Sequence, residues 1–301
     1  MKENIMHKWI SLMSLAFVCS CSASTTNEWG YLDNGTLRIG VDRSRGACIG
    51  FFGESKTKRN LLNHFDEGRF VQQSYYGQAD GSDWNGQPWV YNPIQGGSWK
   101  GVPSKVLTLK KTDNKIYAKI EPRHWANGKL CPEMVMEETL TLDGAVAKIS
   151  FKMRYAGEDQ GEPRHQELPA AFIDGELKSF FYEKAGTITS EAPRILAENG
   201  EEGVDGLALG TSTSEWVAYL DDDKWGIGIY TPGTSEFTVY RALGDGPTGP
   251  KGSAVSYVAP VRTFALTKGM EFKYDVYFTI GTIDEIRANF DKIVPVNQKQ
   301  K

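Results

Sequence analysis

Two of the four histidines in this sequence directly follow an arginine, in Arg123-His124-Trp125 and in Arg164-His165-Gln166-Glu167-Leu168-Pro169. If the second run is extended, His165 and Glu167 share a face. An imidazole beside a carboxylate can be a base held in one tautomer, or two metal ligands. The pair alone selects neither, and no third ligand stands at a spacing that would complete a metal site. No cofactor is expected, while a structural or catalytic divalent cation stays open.

A second constellation lies at 68–76. Alternation puts Arg69, Val71, Gln73 and Tyr75 on one face and Phe70, Gln72, Ser74 and Tyr76 on the other. The face of Arg69, Gln73 and Tyr75 suits a polar groove; an edge strand with one solvated face is the alternative. A third feature is Glu138, in phase with Met134, Met136, Leu140 and Leu142, while Glu137 goes with Val135, Thr139 and Thr141. A carboxyl on an apolar face must be paired, protonated or at a cavity mouth. Burial would raise its pKa, as a general acid requires; an ion pair with an arginine is the structural alternative.

The stretch 77–103 reads as a long irregular loop holding Trp84, Trp89 and Trp99 among Asp80, Asp83, Asn85 and Asn92. Flat rings among carboxamides and carboxylates suit sugars, which offer apolar C–H faces and many hydroxyls. The same indoles could instead fold back as a local core.

The elements that must position these residues are strands. Ala147, Ile149, Phe151, Met153 and Tyr155 alternate with Lys148, Ser150, Lys152 and Arg154, and 271–280 repeats the pattern. Shorter runs at 37–41, 47–52, 104–110, 115–121, 177–183, 215–220, 225–230 and 261–267 are separated by turn residues such as Asp143-Gly144. One helix is expected at 282–292, with Thr282 and Glu285 as a capping box. The fold class is therefore all-β, a large antiparallel sandwich of a dozen or more strands with one short C-terminal helix.

Lys2 and Lys8 precede an apolar stretch at 9–18 and then Cys19-Ser20-Cys21, the pattern of a secretory signal too short to span a bilayer. The run 18–21 resembles a lipobox, with Cys21 lipidated; Cys19 stands where a small residue is usual, and a plain cleaved signal is the alternative. The expected organisation is a signal at 1–20, a tether at 21–36, one sandwich domain at 37–293 and a tail at 294–301. The expected location is a bacterial outer membrane, facing the periplasm or the cell surface, with the membrane held through the lipid. A net charge of -4 argues against a nucleic-acid partner. Cys48 and Cys131 could pair or stay free. No serine-hydrolase elbow, phosphate loop, dinucleotide fingerprint or zinc spacing occurs.

Leu37-Arg38-Ile39-Gly40-Val41 with Gly46-Ala47-Cys48-Ile49, the strand Gly68-Arg69-Phe70, and the ending 264–271 resemble the galactose-mutarotase-like superfamily. The runs Asn92-Pro93-Ile94-Gln95-Gly96-Gly97 and 165–169 are similar to those of uncharacterised lipoproteins from polysaccharide-utilisation gene clusters. The resemblance implies a β-supersandwich acting on oligo- or polysaccharide. In mutarotases a His acid works with a Glu base; His165 would stand for the first, and no residue clearly matches the second. Lyases of the superfamily use Tyr or His for proton transfer, with Arg, Asn or Gln against the substrate carboxylate. By that analogy Arg69 and Gln73 would neutralise a uronate, and Tyr75 or His165 would take its C5 proton. The other of the two, or His124, would protonate the leaving oxygen, and Glu167 would orient His165. Trp84, Trp89 and Trp125 would stack on sugar rings, with Asn92, Arg123 and Arg164 as further contacts. Two alternatives stand: a glycoside hydrolase with Glu138 as acid and Glu167 or Asp83 as its partner, and a non-catalytic glycan-binding lipoprotein.

Overall fold

Alternation of apolar and polar side chains builds the strands at 116–121, 134–143, 146–155 and 271–282 of the computed structural model, which describes residues 28–196, 213–244 and 247–293. The signal, Cys21 and the tail at 294–301 lie outside the described residues. In chain order the strands begin β1 Trp29–Asp33, β2 Leu37–Asp42, β3 Cys48–Glu54, β4 Val71–Ser74, β5 Ala79–Trp84, β6 Gln87–Val90 and β7 Pro93–Ile94. Next come β8 Lys105–Lys111, β9 Ile116–Glu121, β10 Arg123–His124, β11 Met134–Asp143, β12 Val146–Tyr155, β13 Arg164–Asp174 and β14 Ser179–Lys184. The last are β15 Thr187–Glu191, β16 Arg194–Leu196, β17 Thr213–Leu220, β18 Trp225–Tyr230, β19 Glu236–Ala242, β20 Val255–Phe264 and β21 Glu271–Thr282, followed by α1 Ile283–Asp291.

Two sheets face each other. The first runs β1-β2-β3-β4-β13-β20-β19-β16, with β7 and β10 branching from β4; the second runs β15-β14-β17-β18-β21-β12-β11-β9-β8. All pairings are antiparallel except β16 with β19. The sandwich starts earlier than the sequence suggests, because β1 pairs along β2 within the stretch expected as a tether. The expected loop at 77–103 is largely ordered as the β5–β6 hairpin and β7.

Between the sheets lies one core, in which Val41, Ile49, Val71, Leu168 and Val258 from the first sheet meet Ile120, Met136, Ile149, Val276 and Phe278 from the second. The Phe52 and Phe278 rings meet edge to face across it, 5.4 Å apart. Each such side chain contributes roughly 1.5–3 kcal/mol by leaving water. Helix α1 carries the predicted Thr282/Glu285 capping box and buries Ile286 and Phe290 against Trp216 and Tyr230 on the outer face of the second sheet. The outer face of the first sheet has no such cover among the described residues, and the candidate site lies there. Cys48 and Cys131 are both buried free thiols.

Glu138 obeys its predicted phase and is fully buried, opposite Phe151 and Ala118 in the inward face of β11. Its partner is not an arginine: Gln95 Nε2 donates to Oε2 at 3.0 Å, and Oε1 has no hydrogen-bond partner. Burial lifts its pKa to about 8, with the Gln95 hydrogen bond opposing. Between the unfolded pKa near ~4.3 and the folded value, the native state keeps a proton that the unfolded chain releases. Stability therefore falls as pH rises through this window. Glu138→Gln should remove the slope: relative to wild type, the variant should gain on the order of 2–4 kcal/mol between about pH 5 and 8. Urea titrations at several pH values would measure this, and parallel curves for both proteins would show that Glu138 stays ionised.

Candidate active site

Strands β4, β13, β20 and β19 lie side by side in the first sheet and present a continuous outward face. Gln72 and Ser74 come from β4, Glu167, Ala170 and Phe172 from β13, Tyr257 from β20, and Thr238 and Tyr240 from β19; all line one cleft of about 890 Å³. Its floor is aromatic, with Tyr240 stacked on Tyr257 at 4.4 Å and Phe172 against Tyr257 at 4.6 Å. One wall belongs to the β5–β6 hairpin and the chain after β10. Trp84 meets Trp89 at 4.7 Å and Trp125 at 5.9 Å, and all three line the cleft.

A bulge sets the phase of β13. Between Glu167 and Ala171 four steps on β13 match three on β20, and between Glu167 and Ala170 three steps match two on β4. The extra residue turns Ala170 and Phe172 outward with Glu167, while Leu168, Ala171 and Ile173 stay in the core. Pro169, with no N–H for the ladder, falls inside this irregular stretch.

Glu167 is a carboxyl in the cleft surrounded by hydroxyls. Tyr76 Oη donates to its Oε2 at 3.1 Å, Tyr257 Oη donates to Oε1, and Ser74 also bonds it. Burial raises its pKa above the usual carboxyl value despite these three hydroxyls, which pull it down. Burial, reinforced by the adjacent Glu167, holds the Tyr76 and Tyr257 phenols well above their ordinary value, so both remain donors. Arg69 lines the same cleft; it donates from Nη1 to Ser253 O at 2.7 Å and lies 3.6 Å from Asp66.

The structure thus gathers Arg69, Glu167, Asn92, Trp84, Trp89 and Trp125 from the sequence-derived candidates and disperses the others. Gln73 and Tyr75 face the core: Tyr75 Oη donates to Gln73 Oε1 at 3.1 Å, and Gln73 Nε2 donates to Glu137 O. The groove face of β4 is the opposite one, Gln72 and Ser74 continuing to Tyr76, and Arg69 precedes the strand and reaches the cleft from a turn. Glu138 points into the core from β11 of the second sheet, and Asp83 caps its own hairpin turn by accepting from Gly86 N at 3.0 Å. Neither pairs with Glu167 as a hydrolase would require.

His165 is exposed beside Glu167 and makes no hydrogen bond to it among the described residues, so tyrosines, not histidine, hold this carboxyl. His124 is buried outside the cleft; its Nε2 lies 2.8 Å from Asp80 Oδ2 while Nδ1 accepts from Ala126 N at 3.1 Å, which places the ring proton on Nε2. Arg123 is bound to Pro103 O and Gly128 O. Asn92 supports the wall more than it faces a ligand, accepting from Trp89 Nε1 at 3.3 Å and donating to Tyr75 O at 2.8 Å. Among the described residues no three His, Cys, Asp or Glu side chains are grouped to hold a metal ion.

Sequence reasoning missed Tyr76, Tyr257 and Tyr240. Tyr76 carried a signal, since it belongs to the second polar face of 68–76. Tyr257 carried none, because it reads as one more apolar residue in phase with Val255, Ala259 and Val261.

The His124–Asp80 contact anchors the hairpin that bears Trp84 and Trp89. Burial alone would raise the Asp80 pKa, but hydrogen bonds from Ser82 and His124 bring it below the ordinary value. His124→Ala should cost ~1–3 kcal/mol and loosen the hairpin without unfolding the sheets. Hydrogen exchange should show faster amides at 79–90 and unchanged protection in β11 and β12; a uniform change would mean the contact supports the whole fold.

No family model and no curated protein matches the sequence. Solved structures share the fold. A galactose mutarotase related enzyme from Lactobacillus acidophilus matches at 13% identity and TM-score 0.52, covering 84% of this chain and 97% of that one. A galactose mutarotase-like protein from Lactobacillus casei matches at 10% identity and TM-score 0.52, covering 84% and 99%. The architecture is the galactose-mutarotase-like sandwich, as the sequence resemblance implied.

Proposed function

We propose that the cleft binds carbohydrate and that the protein acts on uronate-containing oligo- or polysaccharide by β-elimination, as a lyase or as a dehydratase on a terminal sugar. The observation that carries this is Glu167, a carboxyl of raised pKa held by hydroxyls in a cleft walled by three tryptophans, with a guanidinium in the same space. The sandwich fold, shared with a galactose mutarotase related enzyme, supports a carbohydrate ligand.

Trp84, Trp89 and Trp125 stack on apolar ring faces. Arg69 pairs with the uronate carboxylate and stabilises the enolate that forms as the C5–H bond breaks. Ionised Glu167 takes that proton, the C4–C5 double bond forms and the C4–O bond breaks. Tyr76 gives its hydroxyl proton to the departing oxygen and recovers one from Glu167 across their 3.1 Å hydrogen bond, so the proton inventory closes. A second reading, capture without turnover, draws on the same group: both oxygens of Glu167 already accept hydrogen bonds.

Incubation with uronate-rich and neutral glycans, read by ultraviolet absorbance for unsaturated uronate and by a reducing-end assay, tests the proposal. Absorbance with new ends identifies a lyase, and absorbance alone a dehydratase. Reducing ends alone mean hydrolysis, and binding with neither signal means capture; both overturn the scheme. Glu167→Gln should lower kcat by about 10²–10⁴-fold. Because the base acts ionised, kcat/KM should rise with pH, with its acid limb above the usual carboxyl range and absent from the variant.

We also propose export and lipid anchoring through Cys21, on the leader pattern alone. Labelled palmitate should enter the wild type and the protein should partition with membranes; Cys21→Ala should lose both, and retained label would assign the lipid elsewhere.

A further inference from the structure

Beside the main cleft lies a smaller recess of about 240 Å³, whose lining includes Arg164, His165, Tyr76, Glu167 and Thr238. It shares Tyr76, Glu167 and Thr238 with the cleft, so the two spaces meet at the proposed reacting group. Arg164 and His165 are exposed at the start of β13. Neither side chain has an ion pair or hydrogen bond among the described residues.

That idleness is unusual in this protein. Arg69, Arg123, Arg241 and Arg262 are each bound to backbone carbonyls, and Arg45, Arg59, Arg154 and Arg287 to carboxylates. The carboxylates near the recess do not answer Arg164. Glu167 is engaged with Tyr76 and Tyr257, and Glu236, which pairs opposite Val261 on the flanking strand, forms no ion pair with it among the described residues. A guanidinium presents a planar fork of donors suited to sulfate or carboxylate, and an adjacent imidazole adds one more donor.

We propose that this recess is an anion subsite: Arg164 and His165 receive a negatively charged group of the bound glycan, a sulfate ester or the carboxylate of a neighbouring sugar, next to the unit at Glu167. The inference rests on the reading that the cleft holds a glycan, and it adds that the chain carries charge at more than one position. The subsite selects the substrate and takes no part in proton transfer.

The test compares wild type with Arg164→Ala/His165→Ala on matched oligosaccharides: the same uronate backbone with and without sulfate, and a polyuronate against one alternating uronate with neutral sugar. Both substituted positions are exposed, and circular dichroism and Tm should match wild type. The expected result is that wild type prefers the more charged member of at least one pair and that the double variant loses this preference, through a KM raised by about tenfold with kcat little changed. Arg164→Lys should restore part of it. Loss confined to the sulfated pair identifies a sulfate ester, and loss confined to the polyuronate pair identifies a carboxylate. Equal affinities in wild type, or a preference that the double variant retains, overturns the proposal. Calorimetric binding of the same pairs separates the two readings: charge-selective binding that needs Arg164, without turnover, would keep the subsite and sink the elimination.

Discussion

One extra residue in β13 governs the arrangement of this site. Without the bulge, strict alternation after Glu167 would send Pro169, Ala171 and Ile173 outward and Leu168, Ala170 and Phe172 into the core. Ile173 would then lie in the cleft and Phe172 would compete for core volume. The bulge lets one strand supply Glu167 and Phe172 to the cleft while Leu168, Ala171 and Ile173 complete the core. The position of Tyr257 follows from it, since Phe172 pairs opposite Tyr257 and so sets the floor on which Tyr240 stacks.

A bulge leaves backbone groups without ladder partners: Thr231 Oγ1 donates to Leu168 O inside it, and glutamine carboxamides serve the chain on either side. Gln166 accepts from Tyr76 N at 2.7 Å and donates to Tyr76 O and Phe264 O at 2.9 Å, bridging β13 to the chain on both sides. Gln72 accepts from Gly96 N, and Gln95 accepts from Gln73 N while donating to Gly46 O and Glu138. The crossing is tight: a Cβ on Gly46, at φ +62, would lie 1.9 Å from Gln95 O. Each buried carboxamide satisfies groups that would otherwise cost ~1–3 kcal/mol apiece. The glutamines that read as a polar groove are therefore mostly internal fasteners, and they place Ser74 and Tyr76 rather than touch a ligand.

This division explains what the sequence made legible. Long strands with one wet face, β11, β12 and β21, and the capped helix α1 follow from local periodicity, which needs no knowledge of neighbours. Glu138 was legible for the same reason: its phase among methionines and leucines implied burial. The face of β4 was not, because both of its faces are polar and the choice between them is made by β13 and β7. Trp84, Trp89 and Trp125 converge on one wall of the cleft, the first two from a hairpin rather than from an irregular loop. The bulge leaves no mark in composition, and Tyr257 is in phase with the apolar Val255, Ala259 and Val261, so its place beside Glu167 emerges only once the strands are paired.

Glu138 and Glu167 show why a raised carboxyl pKa does not by itself mark a reacting group. Burial lifts both. Around Glu138 lie core side chains and one carboxamide; neither the cleft nor the recess reaches it, and the proton it retains adjusts stability. Around Glu167 lie three hydroxyls and an open cleft, so a proton lost or gained there has both a path and a substrate-sized space. The same desolvation thus has different consequences in the core between the sheets and on the outer face of the first sheet. Access and the chemistry of the hydrogen-bond partners decide which carboxyl can act. Glu138, on β11 of the second sheet, is closed in by the core, whereas Glu167, on the outer face of the first, meets both hydroxyls and open space.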